Sequence, residues 1–123
     1  MAPHEVDYVN AHGTSTPLGD VNESNAIKAT LGAHAKSVVV NSTKSMTGHL
    51  LGAAGSMGAF AAVMAIREGV VPPTINLTNL DPVIAVLGLN VTPNVAVRKP
   101  VRAALANSFG FGGTNASLVF ARA

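Results

Sequence analysis

One long stretch of the sequence without a charged residue runs from Leu50 to Ile66 and is 17 residues long. It is rich in glycine and alanine, and it is bounded by His49 and Arg67. A helix that is hydrophobic nearly all round belongs in an interior, and its small residues let other backbones approach closely. The run is shorter than the roughly 20 residues that a membrane-spanning helix needs. We therefore expect a central, buried helix and no membrane span.

Strand and helix patterns alternate on either side of this run. "EVDYVNA" alternates apolar and polar residues and predicts a strand. A loop, "HGTSTPLGD", leads into a predicted helix that begins near Pro17 and Asp20 and ends near Leu31, with Gly32 as its stop. "SVVVNS" is a β-branched run typical of a strand that is covered on both faces.

The rest of the chain is predicted to be extended. The two prolines of "VPPTINL" fix φ and bias the preceding residues away from helix. "VRAALANSFGFGGTNASLVFARA" predicts two strands joined by a glycine-rich turn. Strands that alternate with helices favour an α/β fold in layers around a largely parallel sheet. We assign residues 1–123 to one such unit.

Composition narrows the possible partners. The chain is 48% hydrophobic but only 11% charged, which predicts that another chain, or a further part of this one, covers its faces. One Tyr, four Phe and no Trp argue against nucleic acid. The chain has no Cys and hence no disulfide, thiolate metal site or thiol nucleophile. The N-terminus does not resemble a signal peptide, so we expect a cytoplasmic protein.

Two histidines are the strongest candidates for chemistry. His12 ends the first predicted strand, and His49 ends the loop after the second. Ligands of open α/β sheets bind at the carboxyl ends of strands, where two neutral imidazoles can stabilise one enolate or oxyanion. Alternatively, each histidine only hydrogen-bonds backbone at a strand end. Lys44 is either a charge that holds this acid-base network or a solvated loop lysine.

Other ligand classes have weaker support. No His-Glu-x-x-His helix is present, and His4 and His34 lack acidic neighbours at ligand spacing, so we predict no metal. The glycines after Lys44 form neither a dinucleotide fingerprint nor a P-loop. "NSFGFGGTN" need only be a hairpin turn, but its backbone N–H groups can also face an oxyanion, and Phe109 or Phe111 can wall off an apolar channel.

Together these segments resemble the C-terminal part of a β-ketoacyl-acyl carrier protein synthase, an elongating condensing enzyme of the thiolase superfamily. "VNAHGTSTPLGD" is similar to the family's first-histidine motif, and "KSMTGHLLGAAG" to its lysine and second-histidine motif. "NSFGFGGTNASL" is similar to its glycine-rich turn, and "VPPTINL" to a segment between the last two. The motifs occur in the family's order and cover essentially the whole chain, which implies a thiolase-like fold with a mixed sheet.

The resemblance implies a reaction and a set of residue roles. A nucleophilic Cys takes an acyl chain from acyl carrier protein, malonyl-carrier protein decarboxylates, and its enolate attacks the acyl-enzyme in fatty-acid elongation. His12 and His49 would donate to the malonyl thioester oxygen, with Lys44 organising the site. The other implied contacts are the hydroxyls of Thr14 and Thr16 on the pantetheine arm, the backbone N–H and ring of Phe109, and the neighbouring Gly110 and Phe111.

The resemblance also implies partners. These are acyl- and malonyl-loaded acyl carrier protein, the family's N-terminal half with the nucleophilic Cys, and a second copy, since family members are homodimers. No cofactor is implied, because the phosphopantetheine arm belongs to the carrier protein. Arg98, Lys99 and Arg102 favour a solvated face over a dock for the acidic carrier. The location would be the cytoplasm, or an organelle stroma or matrix in a eukaryote.

Some departures leave alternatives open. Many relatives have a glutamate that pairs with the lysine where this chain has Gly58, and Asp20 and Glu23 are candidates to replace it in part. A non-catalytic partner like a polyketide chain-length factor is therefore a second hypothesis, which the two histidines disfavour. A polyketide ketosynthase shares the same motifs. A small membrane-associated helical protein is disfavoured by the prolines and the strand patterns.

Overall fold

The computed structural model describes residues 1–123 and contains one four-stranded mixed sheet. Its strands are β1 (Tyr8–Asn10), β2 (Val39–Asn41), β5 (Ala103–Phe109) and β6 (Asn115–Ala121), in the order β2-β1-β5-β6. The first three strands run parallel, and β6 pairs antiparallel with β5 across the glycine-rich turn. The predicted layered α/β fold with a largely parallel sheet is confirmed.

The first long helix, α1 (Pro17–Leu31), has the predicted bounds. Pro17 occupies the first helical turn, where its missing N–H costs nothing. Gly32 ends the helix with φ at +58°, a left-handed value that glycine adopts at little cost. A 3-10 segment, Gly32–Ser37, then leads into β2.

Helices cover the two faces of the sheet. Because successive side chains of a strand point to opposite faces, Val9 and Val40 meet α1 on one side. Tyr8, Val39 and Ala104 pack with α3 (Ala54–Glu68) on the other side. All three residues of β2 are buried, as its run of β-branched residues predicted.

The helix α3 is covered along one face only. The face on the sheet is made of small residues: Ala54, Gly58, Ala61, Ala62 and Ala65. The opposite face carries Phe60 and Val63, which are 60% and 45% exposed. Part of the apolar excess expected from composition therefore lies uncovered on α3.

Several short elements were not predicted. Lys44–Thr47 forms a one-turn helix, α2, where a loop was expected. Residues of the predicted extended region form α4 (Pro82–Ala85) and an antiparallel pair of two-residue strands, β3 (Val70–Val71) and β4 (Val97–Arg98). Elements this short carry too little periodicity to be recognised in a sequence. None of the helices is long and apolar enough to cross a membrane.

Candidate active site

The candidate residues collect at the carboxyl edge of the parallel strands. His12 follows β1, Lys44 opens α2 just after β2, and Phe109 ends β5. The rings of His12 and His49 meet edge-on with their centroids 5.5 Å apart, and the ring of Phe109 lies 5.5 Å from that of His12. The parallel topology thus brings two imidazoles and an aromatic wall to one place.

A backbone hydrogen bond selects the tautomer of His49. The N–H of Leu51 donates to Nδ1 of His49 over 3.0 Å. Nδ1 must therefore be the unprotonated nitrogen of the neutral ring, which leaves the proton on Nε2 as a hydrogen-bond donor. Leu51 has φ at +51°, a left-handed conformation that is uncommon for a leucine and occurs at functional sites.

His12 is held in an environment that favours its neutral form. Burial, followed by the positive charge of Lys44, lowers the pKa of His12 below its usual value. Its Nδ1 atom is buried and has no hydrogen-bond partner. An unsatisfied buried nitrogen costs stability, and such atoms in native proteins often have a functional explanation.

The role of Glu23 becomes clear only from its contacts in the structure. It is 5% exposed on α1, and its carboxylate accepts the backbone N–H groups of His12 and Gly13, both over 2.9 Å. It also accepts Nδ2 of Asn107 on β5 over 3.1 Å. Glu23 lies four residues before Ile27 and eight before Leu31, on the same buried face of α1. This spacing could have predicted from the sequence that Glu23 is buried. Glu23 clamps the His12 loop to the sheet.

Asp20 and Glu23 were predicted to replace a missing lysine partner in part; neither forms an ion pair with Lys44, and Glu23 acts on it only through its charge. Glu23 is engaged with the His12 loop, and Asp20 accepts the N–H of Ser15 over 3.1 Å. The two ion pairs of the chain are Arg67–Glu68 and Arg102–Asp7, so Lys44 has no carboxylate partner. Burial lowers the pKa of Lys44, and the charge of Glu23 opposes that shift only from a distance.

A neutral hydrogen-bond network lies beside Gly58. Nδ2 of Asn10 donates to the hydroxyl of Tyr8 over 2.9 Å and to Oγ1 of Thr43 over 3.2 Å. A Cβ added to Gly58 would come within 2.9 Å of Oδ1 of Asn10. A glutamate at this position would therefore require Asn10 to move.

Only one of the four substrate-contact candidates, Thr14, lines the cavity that contains Lys44 and His49; Thr16, Gly110 and Phe111 are not part of its lining, and neither is His12. A cavity of about 440 Å³ is lined by Thr14, Lys44 and His49, with Ile27 and Ile84 among its apolar walls. Oγ1 of Thr14 lies 3.3 Å from Oγ1 of Thr16. Two hydroxyls and an apolar wall are suited to a ligand with an amide-containing arm.

In the glycine-rich turn, one backbone N–H is already hydrogen-bonded within the turn and one aromatic side chain is exposed. The N–H of Gly110 donates to the carbonyl of Thr114 over 3.0 Å, so this N–H is not free for a ligand. The side chain of Phe111 is fully exposed at the tip of the turn. Arg102, in contrast, lies at the opposite edge of the sheet in its ion pair with Asp7, remote from the histidines.

Comparison with known proteins gives the family of the chain. Residues 1–78 match the family described as "Beta-ketoacyl synthase, C-terminal domain". The chain is 52% identical over 122 residues to 3-oxoacyl-[acyl-carrier-protein] synthase 2 of Coxiella burnetii, covering 99% of this chain and 29% of that protein. It is 50% identical over 123 residues to the mitochondrial 3-oxoacyl-[acyl-carrier-protein] synthase of Arabidopsis thaliana, covering 98% and 26%.

A solved structure has the same fold. In the AntDE:AntF complex, a type II polyketide synthase acyl-carrier protein is bound to its ketosynthase. A chain of that complex superposes with a TM-score of 0.93 at 41% identity, covering 100% of this chain and 29% of its own length.

The layered fold and these likenesses thus define a ketosynthase type of protein. The chain belongs to the β-ketoacyl synthase family, and its first 78 residues match the family's C-terminal domain. It spans less than a third of the length of the curated relatives it matches, which are 3-oxoacyl-[acyl-carrier-protein] synthases.

Proposed function

We propose that this chain supplies the malonyl site of a 3-oxoacyl-acyl carrier protein synthase that acts in fatty-acid elongation. The observation that carries the proposal is the edge-on contact of His12 with His49, centroids 5.5 Å apart, at the carboxyl edge of the sheet. Two neutral imidazoles at that separation can donate to one oxygen, which is the requirement for stabilising an enolate.

The reaction is a decarboxylative Claisen condensation. The bond between the malonyl α-carbon and its carboxylate breaks, CO₂ leaves, and the electron pair passes into the thioester to form an enolate. The enolate carbon then attacks the acyl group on a Cys outside this chain, and the Cys thiolate leaves as 3-oxoacyl-carrier protein forms. The negative charge that develops on the thioester oxygen is the charge that His12 and His49 stabilise.

Protonation states support this division of roles. Nε2 of His49 is the donor, because Nδ1 is occupied by the N–H of Leu51. The lowered pKa of His12 favours its neutral ring, which still donates one N–H hydrogen bond. Lys44 contributes positive charge near both rings. Phe109 walls the site beside His12 and offers backbone N–H to an oxyanion.

The substrate arm and the partners complete the proposal. Thr14, which lines the cavity, and Thr16, whose hydroxyl lies beside that of Thr14, contact the pantetheine arm, and Gly110 and Phe111 belong to the glycine-rich turn that follows Phe109. The partners are acyl carrier protein, a Cys-bearing N-terminal half and a second copy of the complete protein. Residues 1–123 then form the C-terminal portion of one thiolase-like domain.

A polyketide ketosynthase is the second candidate, favoured by the AntDE:AntF likeness at 41% identity. The higher identity of the fatty-acid relatives, 50–52%, supports elongation of fatty acids instead. A non-catalytic subunit is supported only by Gly58, whereas the two neutral histidines argue for chemistry.

The test uses malonyl-carrier protein decarboxylation and condensation. The chain is assayed alone and in a reconstituted complex, meaning the chain mixed with the separately expressed Cys-bearing N-terminal part of the Coxiella relative. We expect activity in the complex only, and loss of about 10²–10³-fold in decarboxylation for His12→Ala or His49→Ala. His4→Ala, at an exposed histidine, is the matched control.

Two results would contradict the proposal. One is an acyl-enzyme that forms on the chain alone. The other is a folded reconstituted complex in which malonyl-carrier protein is not decarboxylated, which would instead support a non-catalytic partner subunit.

A further inference from the structure

A short extended segment crosses the helix turn that carries Lys44. We call residues 72–75, which contain the two prolines, the strap. The backbone N–H of Ser42 donates to Oγ1 of Thr74 over 3.1 Å. In return, the backbone N–H of Ile75 donates to Oγ of Ser45 over 3.0 Å. Each of the two segments therefore donates a backbone N–H to a side-chain hydroxyl of the other.

Ser42 connects this pair to the His12 loop. Its Oγ donates to the carbonyl of Gly13 over 2.7 Å. Gly13 has φ at +40°, and a Cβ at that position would lie only 2.8 Å from Cβ of Ser42. The backbone next to His12 and the backbone next to Lys44 thus approach as closely as a glycine permits.

The strap itself is anchored at a third place. The N–H of Thr74 donates to the carbonyl of Thr92 over 2.9 Å, and the N–H of Asn94 donates to the carbonyl of Thr74 over 2.8 Å. Thr92 is 1% exposed, and its hydroxyl donates to the carbonyl of Val40 on β2 over 3.0 Å. The prolines restrict φ, so the strap is a rigid platform fixed to the sheet.

We propose that Ser42, Ser45 and Thr74 are positioning residues that set the separation of His12 from His49. They reach neither ring themselves. Their hydrogen bonds fix the Lys44 turn, and with it the loop that ends in His49, against the loop that begins with His12. This inference rests on the proposed function, because only a reaction that needs both imidazoles on one oxygen is sensitive to that separation.

The expected effect is on turnover more than on substrate affinity. A displacement of about 1 Å of a catalytic group can cost up to roughly 10²-fold in rate. Loss of one of several hydrogen bonds in the network should cost less, about 10-fold in kcat for decarboxylation. Ser42, Ser45 and Thr74 also line the cavity, so the KM for malonyl-carrier protein is measured beside kcat, and we expect KM to change less than kcat because the hydroxyls of Thr14 and Thr16 are retained.

The experiment compares Thr74→Val with Thr74→Ser in the reconstituted complex. Valine keeps the shape of threonine but has no acceptor for the N–H of Ser42, whereas serine restores one. Thr78→Val is the matched control, since Thr78 is an exposed threonine farther along the same extended region. Measured quantities are kcat and KM for decarboxylation, the melting temperature, and the imidazole nitrogen shifts of His12 and His49 by NMR.

The proposal predicts a lower kcat and altered imidazole shifts in Thr74→Val, with both recovered in Thr74→Ser and neither changed in Thr78→Val. It is overturned if Thr74→Val turns over like the unchanged protein, or if Thr74→Ser is as slow as Thr74→Val. If Thr74→Val does not fold, Ser45→Ala against Ser45→Thr decides by the same criteria, because Ser45 accepts the reciprocal bond.

The same measurements separate this inference from the proposed function. If the unchanged complex does not decarboxylate malonyl-carrier protein, or if His12→Ala is as active as the unchanged complex, then the proposed function fails. If both histidine variants are inactive but Thr74→Val keeps full kcat, only the positioning role fails.

Discussion

The two edges of the parallel sheet differ in whether their charged and histidine side chains have partners within the chain. At the amino edge, Asp7 accepts the backbone N–H, Nε and Nη2 of Arg102 over 2.8, 3.0 and 3.0 Å. His34 is paired there with the carbonyl of Val6, and Nζ of Lys99 with the carbonyl of Ser37. Polar side chains at this edge find partners within the chain.

The carboxyl edge leaves two titratable groups without partners, although its other polar side chains are hydrogen-bonded. Nδ1 of His12 is buried without a partner, and Lys44 has no carboxylate within ion-pair distance. Both have their pKa lowered, first of all by burial. An edge that only stabilises a fold satisfies its own groups, whereas an edge that binds a ligand keeps donors unpaired at a cost in stability. The contrast indicates which edge holds the site.

The substitution with the largest expected effect on the comparison of the two edges is His12→Leu. If the ring of His12 serves catalysis, decarboxylation should fall by about 10²–10³-fold, the usual cost of one oxyanion donor. The melting temperature should stay the same or rise, because leucine removes a buried polar atom that has no partner. Enzyme assay and calorimetry on the same reconstituted complex measure both. A fall in stability with little loss of rate would make His12 a structural residue.

Glu23→Gln tests the clamp between α1 and the catalytic loop. Its carboxylate accepts three N–H donors, and an amide at that position must turn an N–H group toward at least one of them. We expect a loss of about 2–3 kcal/mol in the free energy of unfolding and a fall in kcat. Chemical denaturation measures the first. Asp20→Asn, at a carboxylate that accepts one N–H from Ser15, is the control and should cost less.

Much of this arrangement follows from local patterns in the sequence. The bounds of α1 follow from Pro17 and Gly32, and the burial of β2 follows from its valines. The order of strands and helices places the residues after β1 and β2 at one edge. These features depend on neighbours in sequence, which propensity and periodicity describe.

The remaining features depend on contacts between distant residues. Glu23 and Asn107 are 84 positions apart, and Ser42 and Thr74 are 32 positions apart. Nothing local in "VPPTINL" says which hydroxyl its threonine will meet. The one-turn helix that begins at Lys44 is likewise too short to have a period of its own. Sequence therefore predicts which residues reach the edge, but not how they are held there.

Asp7→Asn tests the amino edge of the sheet, where the polar side chains have partners within the chain. Burial on its own raises the pKa of Asp7, but the hydrogen bonds and charge of Arg102 outweigh it, so that the pKa lies below its usual value. The carboxylate therefore stabilises the fold above the pKa of an unfolded aspartate, about 3.9, and loses this effect as pH falls through the lower folded value. We expect a loss of about 2 kcal/mol at neutral pH, and a smaller difference in acid.

Urea unfolding at neutral and acid pH measures the effect of Asp7→Asn. Glu68→Gln is the control, because the pair of Glu68 with Arg67 has both side chains exposed by half or more and should contribute less than about 1 kcal/mol. Decarboxylation by Asp7→Asn should be unchanged, since Asp7 and the histidines lie at opposite edges. A large loss of kcat in this variant would show that the two edges are coupled, against the separation inferred above.

The smallest expected effect is a shift in pH dependence on replacing Lys44 with methionine. The positive charge of Lys44 is the second cause, after burial, of the lowered pKa of His12. Removing the charge should raise that pKa but not restore its ordinary value, because the burial remains. The decarboxylation rate depends on neutral His12, so its acid limb should move to higher pH in Lys44→Met and stay in place in Lys28→Met, a helix-surface control. An acid limb that does not move would mean that Lys44 acts on the substrate rather than on the protonation of the histidine.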